Sequence, residues 1–229
     1  MFKQIASSKI NFQIMNQIKE KIRSGELQLG DRLPSERTMA EQLGVSRATV
    51  REAIRSMELM GLVICVQGEG NFIPESLENS LIEPLSLMFM LNRSHANEIS
   101  ELRRALEIEA VRLAAEKISE GEVKRLEESL DIMENSDIKR NRVEADHAFH
   151  DQIAKASGNM LIINLLNSLS QIIEEQMAGV RANLILDDNN LHVINQQHRL
   201  IFKALEQRDR DEAITAMTKH MDYVNRRLK

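Results

Sequence analysis

Glycine is spread so unevenly along this chain that it divides the molecule before any motif is read. Of nine glycines in 229 residues, Gly25, Gly30, Gly44, Gly61, Gly68 and Gly70 precede residue 75, and only Gly121, Gly158 and Gly179 follow. Glycine serves tight turns and weakens helix interiors by about 1 kcal/mol. The first third is therefore turn-rich and made of short elements, whereas the remainder can run as long helices. Residues 74–84 (PESLENSLIEP) hold two of the three prolines and read as a connecting segment. The division expected is a first domain over 1–75, a connector over 76–84 and a second domain over 85–229. With 42% hydrophobic residues and only 3% aromatics, the chain can bury a core and favours helix over sheet.

The first domain reads as three helices and a hairpin. Ile14, Ile18 and Ile22 form a four-residue stripe that ends before Gly25. A second helix starts behind Ser35 and stops at Gly44; a third starts behind Ser46 and stops at Gly61, each serine being a candidate N-cap. The β-rich run Leu62 to Val66, a glycine-containing tip and the run Asn71 to Ile73 make a hairpin. This is the outline of a winged helix-turn-helix. On the third helix Val50, Ala53, Ile54 and Met57 share one face. At about 100° per residue, Arg47, Arg51 and Arg55 occupy the neighbouring stripe. Such a helix suits a DNA major groove, where arginine reads guanine and the helix N-terminus favours phosphate. A solvated face paired with Glu52 and Glu58 is the plainer alternative for the helix taken alone. The formal net charge of −5 argues against nucleic acid, but residues 1–75 carry 10 basic and 9 acidic side chains, so the acidity belongs to 76–229, with 20 and 26.

The segments Leu33-Pro34-Ser35-Glu36-Arg37 and Leu43-Gly44-Val45-Ser46-Arg47-Ala48-Thr49-Val50-Arg51-Glu52-Ala53 resemble the signature of GntR-type bacterial transcription regulators. Gln67-Gly68-Glu69-Gly70-Asn71-Phe72-Ile73 is similar to their wing. The resemblance implies that Arg37, Arg47 and Arg51 are the chief DNA contacts, supported by Ser46 and Thr49, with Gly68 letting the wing tip approach the minor groove. Glu69 departs from the family, in which a basic residue is common at that wing position.

The second domain reads as helices near 80–91, 96–117, 120–134, 139–156, 160–185, 189–207 and 210–227, an all-α antiparallel bundle. Met88, Phe89 and Met90 form an apolar patch that reads as core, with dimer surface as the alternative. Asp146 and His150 are four residues apart and share a helix face flanked by Val143, Ile153 and Ala154. His198 is centred among Leu191, Ile194, Ile201, Phe202 and Leu205, and His220 among Ala213, Ala216, Met217, Tyr223 and Val224. Polar groups turned inward need partners. A divalent ion satisfies all four residues, as do separate hydrogen bonds within a core or ligand pocket. His95, His147 and His192 lie off these stripes and read as bystanders.

The set Asp146, His150, His198 and His220, with Glu101-Leu102-Arg103 and Leu106-Glu107, resembles the FCD ligand-binding domain of the FadR-like subgroup. That resemblance implies a metal, Zn²⁺ or else Ni²⁺ or another transition ion, whose coordination is completed by a small carboxylic acid, with Arg103 at the effector's other end. It also implies a homodimeric, metabolite-responsive repressor on an inverted-repeat double-stranded operator. A metal-dependent hydrolase using the tetrad to activate water is the rival, opposed by the absence of a His-Glu-x-x-His motif and by the front domain; no enzyme activity is expected. Cys65 alone permits no internal disulfide, and no apolar run is long enough for a signal or a membrane span. A cytoplasmic location without membrane partners is therefore expected.

Overall fold

The computed structural model describes residues 8–75, 82–92, 96–176 and 188–227. It divides into two compact units, Met1–Leu81 and Ile82–Lys229.

In the first unit α1 (Ser8–Arg23), α2 (Glu36–Leu43) and α3 (Arg47–Leu59) precede a two-stranded antiparallel sheet of β1 (Ile64–Val66) and β2 (Gly70–Phe72). The register pairs Ile64 with Phe72, Cys65 with Asn71 and Val66 with Gly70. A further bridge joins Arg32 to Phe72, which ties the segment before α2 to the hairpin. Both serine caps form: Ser35 Oγ accepts from the amide of Thr38, and Ser46 Oγ from that of Thr49, each at 3.1 Å. Gly44 ends α2 in the left-handed region at φ 66°, a conformation costly for any residue with a Cβ. Val50, Ala53, Ile54 and Met57 of α3 are buried against Ile14, Met15 and Ile18 of α1 and Met39 and Ala40 of α2. The helical phase in the sequence thus matches the core.

The second unit is helical throughout its described residues: α4 (Ile82–Asn92), α5 (Ala96–Lys117), α6 (Glu120–Asn135), α7 (Lys139–Ala156), α8 (Met160–Gln176), α9 (Asp188–Glu206) and α10 (Arg210–Arg227). Ser119 and Glu122 form a capping box that starts α6. Helix α5 packs on α7, α8, α9 and α10, so it is the central element. Its small residues Ala110 and Ala114 are fully buried, which lets neighbouring helices approach closely. Short connections after α6 and after α9 return the chain onto itself, and α6 packs on α7 as α9 packs on α10.

Two sequence expectations bear on α4. Ile82, Glu83 and Pro84, where the expected connector over 76–84 overlaps the helix expected near 80–91, form the first turn of α4. Proline is tolerated there because a first-turn N–H has no intrahelical acceptor. Residues 76–81 of the connector lie outside the described residues, as does 177–185 of the helix expected over 160–185. Met88, expected as core rather than dimer surface, is 46% exposed in the single chain; the side chains of Phe89 and Met90 lie outside the described residues.

Candidate functional site

Two regions carry chemistry, one in each unit. In the first, a groove of about 860 Å³ is lined by Arg32, Ser35, Glu36, Arg37, Arg47 and the wing residues Gly68, Glu69 and Asn71, among others. Arg37, Arg47 and Gly68, read separately from sequence, therefore share one surface. Arg37 Nε donates to Glu41 at 3.0 Å within α2. Arg51 is exposed on α3 but committed to Glu36 of α2, with Nε at 3.1 Å and Nη2 at 2.9 Å from its Oε2. That hydrogen bond holds the Glu36 carboxyl below its ordinary value despite partial burial. Arg55 stands 3.9 Å from Glu52. Ser46 and Thr49 face each other across the cap, their hydroxyl oxygens 2.7 Å apart, so both first serve to start α3. Gly68 takes φ 82° at the wing tip, and Cβ added there would meet nothing within 4 Å.

Arg32 had no signal in the sequence. Its Nη2 donates to the carbonyl of Glu69, 37 residues away, and its guanidinium lies 5.8 Å from the centre of the Phe72 ring. A Cβ on Gly70 would come within 3.3 Å of Arg32 Nε, so glycine there leaves room for the brace. Arg32 fixes the wing against the start of α2.

In the second unit α7, α9 and α10 each carry one histidine inward. His150, His198 and His220 are all buried, and one candidate ligand nitrogen from each lies within 4.8 Å of the others. Their ring centres are 4.5 to 5.4 Å apart, and the Phe149 ring lies 4.8 Å from that of His198. Asp146, one turn before His150 on α7, is also buried and sets Oδ1 3.5 Å from His198 Nε2. A tetrahedral ion with bonds of ~2.0–2.1 Å keeps its ligands about 3.3–3.5 Å apart. The Asp146–His198 separation is already that of two ligands on one ion, and small side-chain movements close the trio. Three imidazoles and one carboxylate are suitable donors for Zn²⁺ or Ni²⁺. The residues present therefore fit a divalent ion. Burial drives the His220 imidazole well below its ordinary 6.5, helped by His198 and His150, so it is neutral and able to donate a lone pair.

Two further residues hold these rings. Glu107 of α5 places Oε2 3.0 Å from His150 Nδ1, while Arg103, one turn earlier, donates to Glu107 Oε1 from Nη2 at 3.0 Å and Nε at 3.2 Å. Gln197 Oε1 lies 3.1 Å from His220 Nδ1. Burial alone would raise the Glu107 carboxyl, yet its contacts with His150 and Arg103 bring it down to about 2. Arg103 is thus buried and already partnered within the bundle, near enough for its charge to act on His220. Sequence reading assigned no site role to Glu107. The signal was present: Glu107 shares its stripe on α5 with Arg103, Ala110 and Val111, which puts a carboxylate on a buried face. Of the remaining histidines, His192 is exposed beside Gln196 and His147 is half-buried on α7. His95 lies outside the described residues. No described helix is long and apolar enough to cross a membrane.

Comparison with known proteins agrees with both regions. Residues 11–73 match bacterial regulatory proteins of the gntR family, and residues 98–223 match the FCD domain. The chain is 34% identical over 205 residues to the HTH-type transcriptional regulator LutR of Bacillus subtilis (strain 168), covering 89% of this chain and 94% of that protein. It is 30% identical over 224 residues to the HTH-type transcriptional repressor NanR of Cronobacter sakazakii, covering 96% and 85%. A solved structure described as Streptococcus agalactiae GntR aligns with a TM-score of 0.70 at 28% identity, covering 94% of this chain and 99% of that one.

Proposed function

The chain belongs to the gntR family of bacterial regulatory proteins and carries an FCD domain, and from that premise we propose how this transcription regulator senses and binds. Its relatives are transcription regulators, so the hydrolase reading is set aside. We infer that it acts as a cytoplasmic homodimer whose two winged helices read the two arms of an inverted-repeat operator. The support is the groove that joins Arg37, Arg47 and Gly68, with Arg51 held alongside by Glu36. Arg47 and Arg51 are the candidates for base edges, and Ser46, Thr49 and Gly68 for backbone contact near the helix start and wing.

For sensing, one observation carries the reading: three buried histidines from three helices converge beside the Asp146 carboxylate. Asp146, His150, His198 and His220 would hold a divalent ion, in the first instance Zn²⁺, which when bound supplies an anchor for the carboxylate of a small organic acid. Arg103 is the candidate for the acid's second polar group, and to take it Arg103 must loosen its bonds to Glu107. Because α7, α9 and α10 all contribute, an effector that favours one packing of these helices biases the whole unit. Effector binding would then relieve repression.

Two measurements test this together. Protein prepared without a histidine tag should hold about one ion per chain, as a single four-ligand site requires. His198→Ala with His220→Ala should abolish it. Gel shifts on the promoter region of the chain's own gene should be lost in Arg47→Ala. A metal-free wild type, or Arg47→Ala binding at normal affinity, overturns the corresponding half.

A further inference from the structure

We propose that Glu107 is the positioning residue of the His150–His198–His220 centre, fixing the tautomer of His150 while it holds Arg103. The inference rests on the metal reading given above and extends it to a residue outside the ligand set. The two oxygens of Glu107 are divided between two partners. Oε1 takes both hydrogen bonds from Arg103, at 3.0 and 3.2 Å, and Oε2 lies 3.0 Å from His150 Nδ1. The carboxylate is 1% exposed, so no water competes for either oxygen. Arg103 supplies the compensating charge, and Glu107 therefore needs no proton of its own. An ionised carboxylate only accepts, so the proton in the Glu107–His150 bond belongs to Nδ1. The lone pair of His150 is then on Nε2, the only ring nitrogen left for an ion. His220 is held in the same sense by the amide of Gln197, a neutral acceptor at 3.1 Å. Of these two rings His150 is the one with a charged acceptor behind it, and a partner of that kind orients the ring and raises its basicity as a ligand.

The same geometry links the two halves of the sensing site. Arg103 and His150 lie on different helices, α5 and α7, and Glu107 is bonded to both. An acid that draws Arg103 away leaves Glu107 with a single partner, so the Glu107–His150 bond strengthens as the effector binds.

The test uses full-length, untagged protein stripped of metal, with Zn²⁺ as the probe. In the metal-free wild type in alkaline buffer, ¹⁵N shifts of the His150 ring should report a proton on Nδ1. Glu107→Gln, which keeps an acceptor oxygen but not the charge, should retain that tautomer and weaken Zn²⁺ binding by roughly 10- to 100-fold in a competition titration. Glu107→Ala should lose both the tautomer and at least as much affinity. His150 carrying its proton on Nε2 in the wild type overturns the proposal, as does Zn²⁺ affinity unchanged in both variants. The wild-type tautomer decides the matter even if Glu107→Ala does not fold. A wild type that takes up no Zn²⁺ overturns the metal centre itself, whereas one that binds Zn²⁺ with the other tautomer overturns only the role of Glu107.

Discussion

Burial acts on Glu107 and His220 in opposite senses, yet both make the chain sensitive to acid. Glu107 is held down at about 2 against an ordinary 4.5, so its contribution to stability is whole above 4.5 and lost as pH falls toward 2. His220 is pushed below 6.5, so the unfolded chain takes up its proton first, and stability declines as pH drops under 6.5. Urea midpoints of the metal-free chain should therefore fall below pH 6.5 and more steeply below 4.5. A midpoint that stays level down to 4.5 would contradict the assignment for His220. On the other unit, Arg47→Ala should lower operator affinity by about 5- to 150-fold, the loss of about 1–3 kcal/mol that one bidentate base contact supplies. Arg51→Ala should cost more than Arg47→Ala in the same gel shift, because it also leaves the Glu36 carboxylate without its arginine on that surface. The arginine stripe was legible from helical phase alone. The pairing of Arg51 with Glu36, 15 residues back on another helix, was not.

Helices here begin and end where local chemistry says they should. Ser35, Ser46 and Ser119 each cap the helix that follows, and Gly44 closes α2. The caps at Ser35 and Ser46 and the stop at Gly44 were readable because a cap involves residues within one turn of each other. Gly44→Ala meets no steric neighbour within 4 Å, so its cost is the left-handed backbone alone, about 1 kcal/mol. The melting temperature should fall by a few degrees on that account, with operator contacts otherwise retained. A larger loss would mean that the turn also sets how α2 meets α3. The start of α4 fell where the expected connector and the helix expected near 80–91 overlap, because proline and polar neighbours suit both a break and the first turn of a helix. At this scale the sequence is ambiguous where a residue's meaning depends on its position within the element.

For the molecule as a whole, the candidate metal centre draws α7, α9 and α10 together, with α5 behind them. Zn²⁺ at about a hundredfold excess over its dissociation constant should raise the unfolding free energy by about 2.7 kcal/mol. The chain with His198→Ala and His220→Ala should show no such gain in a calorimetric or denaturant titration. The formal charge of −5 hides a nearly neutral first unit, so in the proposed function operator binding is expected to rely on a few placed arginines more than on general attraction. The sequence by itself determined the kind of each described element, the buried face of α3 and the inward phase of Asp146, His150, His198 and His220, because these follow from propensities and spacing within a few turns. Only the tertiary structure decided which faces meet: that Glu107 lies behind His150 across 43 residues, that Arg103 is already occupied, and that Arg32 braces the wing across 37. Those pairings depend on how helices and hairpin pack in space, and no spacing along the chain encodes that.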